Sequence, residues 1–212
     1  MRKLSLLSKV SLLVFLGVAT ISCSSNKKPP KESDEKGVKV DMQVLTSLDA
    51  NPNTEGKAAP IRLDFYQLSA DAEFSQADFF DLVQKPKDAL GDKLIQSNQY
   101  MLYPDAVMVL SMKLDSNLKY FGAVASYRNL ENKEWRTILF KQSKPWYKFK
   151  KNYLYLYIDN SGINQLSRQE MHQKLKEYQT RHPGDKTVRN GKARPEKNDM
   201  SKGIFRRANI KN

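Results

Sequence analysis

The feature that most constrains this chain is a succession of short apolar segments separated by polar turns, which leaves little alternative to a layered β structure. Residues 100–103, 106–114, 118–127, 135–141, 146–150 and 153–158 each read as a strand, with breaks at Pro104-Asp105 and at Asp115-Ser116-Asn117. Strands recurring at this spacing predict an antiparallel sandwich. The pattern starts earlier in the chain. Val38, Val40, Met42 and Val44 alternate with Lys39, Asp41 and Gln43, and Ile61, Leu63 and Phe65 alternate with Arg62, Asp64 and Tyr66. A period of two is what a strand with one buried face requires. Gly122, Ala123 and Ala125 predict close backbone packing within the 118–127 strand. In the 153–158 strand, Leu154, Leu156 and Ile158 are expected inward, which leaves Tyr153, Tyr155 and Tyr157 as an outward stripe. That stripe is either a contact face or, the reading favoured, a packing surface under Trp146 and Lys148 or against the short helices.

Helical signals interrupt the strands twice. Ser75 is placed to cap a helix, with Asp78 three residues on and Phe74 able to clasp Phe79 across the cap. Pro86 then suits the first turn of a second short piece that ends near Gly91. Further on, Ser167 and Glu170 form a capping box, and Met171, Leu175 and Tyr178 fall at helical spacing. The resulting helix, within 167–182, should stop before Pro183-Gly184 and lay its narrow apolar stripe on the sandwich or on a partner. Residues 183–212 are basic and poor in aliphatics, and are expected to form a disordered tail.

The amino-terminal end has a different character. Arg2, Lys3 and Lys9 precede an apolar run over 10–21 that ends in Ser22-Cys23-Ser24, and Cys23 is the only cysteine. A basic start, a short apolar core and a small residue before cysteine describe a secretory leader over 1–22 that is cut at a lipidated Cys23. The apolar run is shorter than the roughly 20 residues that a membrane span needs. A lone cysteine also has no internal disulfide partner. Residues 23–37, rich in charge and proline, then form a tether to the folded body over 38–166.

Charge supports this division. Basic and acidic residues number seven and three in 1–37, sixteen and fifteen in 38–166, and thirteen and five in 167–212. The excess belongs to the ends, so the body gives no reason to expect nucleic-acid binding, while the basic tail could touch an anionic envelope surface. Catalytic chemistry finds no support. His172 and His182 lie outside the predicted sandwich, so neither a serine triad nor a transition-metal site can be assembled, and no phosphate-binding glycine loop occurs. Asp78 and Asp81 could share a helix face, but at a helix start they serve its dipole. The chain is expected to be no enzyme, to hold no metal and to need no cofactor beyond the covalent lipid.

One segment stands apart. Residues 47–59 form a long connection between the first two strands, carrying Asp49, Asn51, Pro52, Asn53 and Gly56. Loops of this length between strands are functional or flexible more often than structural.

Four stretches, taken in order, resemble the TssJ (VasD-type) outer-membrane lipoproteins of bacterial type VI secretion systems. They are Phe65-Tyr66-Gln67-Leu68 with Phe74 and residues 77–82; residues 90–95; residues 120–130 with Trp135-Arg136; and residues 154–158 running on to Ile163 and Leu166. The likeness covers about 38–166. It implies an all-β, transthyretin-like sandwich with a small helical insertion, to which this chain adds a C-terminal helix and basic tail. It further implies acylation of Cys23, an outer-membrane location facing the periplasm, and docking of the periplasmic part of TssM. By the same likeness the partner-binding residues are Ser47, Leu48, Asp49, Asn51, Pro52, Asn53, Thr54, Glu55 and Lys57. The competing reading is a periplasmic lipoprotein that binds peptidoglycan or another envelope glycan.

Overall fold

The structure, a computed structural model, describes residues 38–131, 133–141 and 152–193. Eight strands form two four-stranded sheets. The first has the order β4 (Val107–Leu114), β1 (Val38–Thr46), β7 (Asn152–Ile158), β8 (Ile163–Gln165). The second has the order β3 (Leu94–Leu102), β2 (Ile61–Leu68), β5 (Tyr120–Ser126), β6 (Arg136–Lys141). The expected sandwich is present. One pairing departs from the antiparallel expectation, because β1 runs parallel to β7, from Val40 opposite Asn152 to Thr46 opposite Ile158. Period-two patterning reports which face a residue occupies and carries no information on strand direction.

The alternation seen in the sequence builds the core. Val40, Met42 and Val44 of β1, Leu154, Leu156 and Ile158 of β7, and Ile61, Leu63 and Phe65 of β2 bury together with Phe121, Ala123 and Ala125 of β5. Phe65 stacks on Phe121 with centroids 5.5 Å apart and meets Tyr100 edge-on at 5.8 Å. At about 25 cal/mol per Å² of apolar surface, this shared core is the main source of stability.

Each sheet also has a covered outer face. On the second sheet, α1 (Ala72–Gln76), α2 (Phe79–Gln84) and α3 (Pro86–Leu90) seat Phe74, Leu82 and Leu90 against Tyr66, Leu68 and Val124. Gly122 permits this approach, since a Cβ there would lie 2.7 Å from Phe74 Cζ. Asp78, not Ser75, provides the cap: its side chain accepts from the Phe80 N–H at the start of α2, while Ser75 sits inside α1. The carbonyls of Phe74 and Ala77 accept from Arg136 Nη1 at 2.8 Å each, which ends α1 and splits the expected single helix. Pro86 opens α3 as expected.

On the first sheet, α4 (Arg168–Arg181) lays Met171, Leu175 and Tyr178 on Leu45, Val107 and Val109. Both halves of its capping box are formed. The chain beyond 183 is not a plain tail. β9 (Val188–Arg189) and β10 (Lys192–Ala193) make a hairpin whose Val188 and Ala193 are buried against α4. His172 Nδ1 lies 2.6 Å from the Gly191 carbonyl, and Gln43 Nε2 donates to the Ala193 carbonyl. Two small apolar residues at the right spacing suffice to seat the hairpin, a signal too short to stand out in a basic sequence. The leader, Cys23, the tether, the expected 146–150 strand and residues 194–212 lie outside the described residues.

Candidate functional site

The register places four connections and a helix end at one pole of the sandwich. They are the β1–β2 loop, the β3–β4 turn at Asp105, the β5–β6 loop, the β7–β8 turn and the carboxyl end of α4. The opposite pole holds the start of β1.

The β1–β2 loop has a held base and an exposed tip. Ser47 and Asn51 are buried, at 6% and 2% exposure. The Ser47 N–H donates to the Ile158 carbonyl, its carbonyl accepts from the Asp105 N–H, and its Oγ donates to Asp49 Oδ1 at 2.6 Å. Asn51 sits at φ +53°, a left-handed conformation that asparagine tolerates better than most residues. Its amide donates to the Pro60 carbonyl at 2.7 Å and its Oδ1 accepts from the Arg128 N–H at 2.8 Å, tying the loop to the β5–β6 connection 77 positions away. Farther out, Asn53 Oδ1 accepts from the N–H groups of Glu55 and Lys57, and Gly56 turns at φ +76°. The Glu55–Lys57 pair is exposed and contributes little.

Of the expected contact residues, Leu48, Asp49, Thr54, Glu55 and Lys57 are therefore exposed, and Pro52 and Asn53 are half-buried. Ser47 and Asn51 face inward and position the others. Leu48 is 57% exposed. It borders a groove of about 320 Å³ shared with Leu45, Tyr157, Lys174, Glu177 and Arg181, so α4 forms a wall beside the loop base.

The helix end is fixed to this pole by ion pairing. Asp105 Oδ1 accepts from Arg181 Nη2 at 2.7 Å, and Oδ2 lies 2.5 Å from His182 Nε2. Burial alone would raise the Asp105 carboxyl, but the bonds from Arg181 and His182 outweigh it and hold the group below its ordinary range. Nearby, Tyr127 donates to the Asp159 carbonyl, and burial pushes its hydroxyl pKa up. Sequence marked Asp105 only as a turn former and His182 only as lying outside the sandwich; Arg181 and Asp159 were not singled out.

The tyrosine stripe divides. Tyr155 and Tyr157 pack against the α4 cluster, the favoured packing role with a different cover, while Tyr153 remains 48% exposed. Tyr153 and Tyr155 line an open groove of about 950 Å³ that also borders Arg168, His172 and Lys192. Asp78 is used as a helix cap. Among the described residues no cluster of three or more His, Cys, Asp or Glu could hold a metal ion, and no helix is long and apolar enough to cross a membrane.

Comparison with known proteins gives a consistent result. Residues 38–160 match the model of the type VI secretion lipoprotein family that includes VasD, EvfM and TssJ. No curated protein matches the chain. The crystal structure of the T6SS lipoprotein TssJ1 from Pseudomonas aeruginosa is 27% identical, with a TM-score of 0.57, over 62% of this chain and 97% of that one. Serratia marcescens Lip, a membrane-bound component of the type VI secretion system, is 25% identical, with a TM-score of 0.57, over 62% and 99%. A chain of a type VI membrane complex shares the fold at 19% identity, with a TM-score of 0.54, over 61% and 98%. The family match stops before α4, so the helix and hairpin are this chain's addition to the matched region.

Proposed function

This chain belongs to the VasD, EvfM and TssJ family of type VI secretion lipoproteins, and from that premise we propose that it docks the periplasmic part of TssM to the outer membrane through a lipid on Cys23. The protein acts by binding and carries out no catalysis. Acyl chains on Cys23 contribute about 0.8 kcal/mol per buried methylene, enough for durable anchoring when chains are combined. Residues 24–37 bridge the lipid to the start of β1, and the β1–β2 loop presents the contact surface at the far pole.

The observation that supports this most is the build of the loop. Its base is held by side-chain and backbone hydrogen bonds from Ser47, Asn51 and Asp105, and its tip over 52–58 carries no core residue. A pre-organised, outward tip avoids part of the ordering cost of association. Replacing residues 52–58 by a short turn, with Ser47, Ala50, Asn51 and Ala59 retained, is expected to weaken binding to the TssM periplasmic domain by at least about tenfold. Loop shortening itself alters stability by only about 0.6 kcal/mol per halving of length. Unchanged affinity with an unchanged melting temperature would remove the loop from the interface. Replacing Cys23 with Ser should release the folded protein from outer membranes washed at high salt, and continued sedimentation with them under that condition would end the anchoring proposal.

A second reading, binding to an envelope glycan, rests on the groove beside Tyr153, where an aromatic face adjoins Arg168 and Lys192. Co-sedimentation with purified peptidoglycan, compared with TssM capture, separates the two.

A further inference from the structure

The two poles of the sandwich differ in charge as well as in shape. At the pole where β1 begins, Lys39, Lys113, Lys119 and Lys141 are all exposed. Lys39 and Lys113 are direct cross-strand neighbours on β1 and β4. Like charges placed opposite one another weaken a sheet pair, and the fold tolerates that here. Lys119 follows the β4–β5 turn, where its N–H donates to the Leu68 carbonyl, and Lys141 faces the Tyr120 ring at 5.3 Å. Among the described residues no carboxylate ion-pairs with any of the four. Of the acids nearby, Asp92 pairs with Lys93, Asp41 accepts from the Ser111 hydroxyl, and Asp115 accepts from the Asn117 N–H. The other pole is mixed: Asp49, Glu55, Glu131, Glu134 and Asp159 stand around the candidate docking loop with Lys57, Arg128 and Lys133 among them.

We propose that the lysine-bearing pole rests on an anionic phospholipid surface, so that the membrane sets the orientation of the sandwich as well as its location. The chain enters at this pole, and 37 residues precede Val38. Cys23 lies fifteen positions before Val38 in the sequence, so a lipid there would keep this pole within reach of the bilayer. That reach lets the lysines come down onto the head groups, inside the Debye length of about 8–10 Å that limits such attraction. β1 is nine residues long, so the loop pole then stands about 30 Å from the head groups. This rests on the anchored-docking reading for which membrane is presented, while the pole's affinity for lipid is measured without it.

The test uses the mature full-length chain with Cys23→Ser, which cannot be acylated, and vesicles of phosphatidylcholine with or without phosphatidylglycerol. Binding is expected only to vesicles containing phosphatidylglycerol, and should weaken as salt is raised. Each of K39Q, K113Q, K119Q and K141Q should lower the partition coefficient by about fivefold at low ionic strength. The melting temperature of K39Q and K113Q should not fall, because each relieves the Lys39–Lys113 repulsion. The 52–58 loop variant should keep vesicle binding and lose TssM, whereas the lysine variants should do the reverse. Failure of the docking reading therefore leaves the vesicle result intact. The proposal is overturned by three outcomes: no vesicle binding, equal binding to neutral vesicles, or binding unaffected by all four replacements but abolished by removal of 194–212.

Discussion

The outer faces of the two sheets are covered by different means. The insertion α1–α3 lies within the family-matched region and is locked from several directions. Phe74 fills the space left by Gly122, Tyr66 donates its hydroxyl to the Leu82 carbonyl at 2.8 Å, and Arg136 holds two carbonyls of the α1 end. The α4–hairpin cover lies beyond that region and is attached by its apolar stripe, by the Asp105 contacts with Arg181 and His182, and by the bond from Gln43 to the Ala193 carbonyl. The first packs as a cluster of its own but is tied to β2, β5 and β6 at once, whereas the second behaves as an addition laid over a finished sheet. Burial alone does not separate them, since Phe74 and Tyr178 are both fully buried. What separates them is how many other elements depend on each contact.

That contrast can be broken at Phe74. F74A is expected to cost about 3–5 kcal/mol and to lower the single cooperative transition of the whole domain, as read by urea unfolding with two probes. The matching change on the other side, Leu175→Ala, removes a residue of similar burial and should cost about 2–4 kcal/mol locally. Hydrogen exchange should then quicken over 168–193 and stay slow over β1 and β4. Exchange that quickens in β1 as well would make the second cover as integral as the first. Asp105→Asn should cost about 1–3 kcal/mol by unpairing Arg181 and His182. Acid tests the same contact. Because the folded Asp105 lies below its ordinary value of 3.8, its contribution is fully present above that value and is lost as pH falls through the lower folded one. Detachment of α4, followed by exchange or by tyrosine fluorescence, should therefore be confined to strongly acidic solution. The smallest effect is expected for Ser167→Ala, which removes the cap of α4 and should cost about 1 kcal/mol.

The sandwich was legible because β1, β2 and β7 alternate as half-buried strands do, while β4 and β5 are short apolar runs bounded by turn residues. β3 was read as 100–103 but runs from Leu94, because it is an edge strand. Gln96, Ser97 and Gln99 are exposed there, and a strand bonded on one side only can form without an apolar pattern. The parallel β1–β7 pair was invisible for the reason that direction leaves no periodic trace. For the candidate site, turn-forming residues located the loop, but sequence could not distinguish the residues that build it from those it displays. Asn51 belongs to the first kind through its bonds to Pro60 and Arg128, and Leu48 to the second. Those roles depend on partners up to 77 positions away. The packing of Tyr155 and Tyr157 beneath α4 was missed for the same reason.

The pairing of β1 with β7 has a kinetic corollary. The earliest strand to leave the ribosome sits between β4 and the seventh strand, more than a hundred residues later, and bonds to both. Contacts of such separation are slow to close, because the intervening chain must be ordered before they return any energy. A polypeptide delivered from its amino terminus would thus hold its first strand half-matched until almost all of the body has followed.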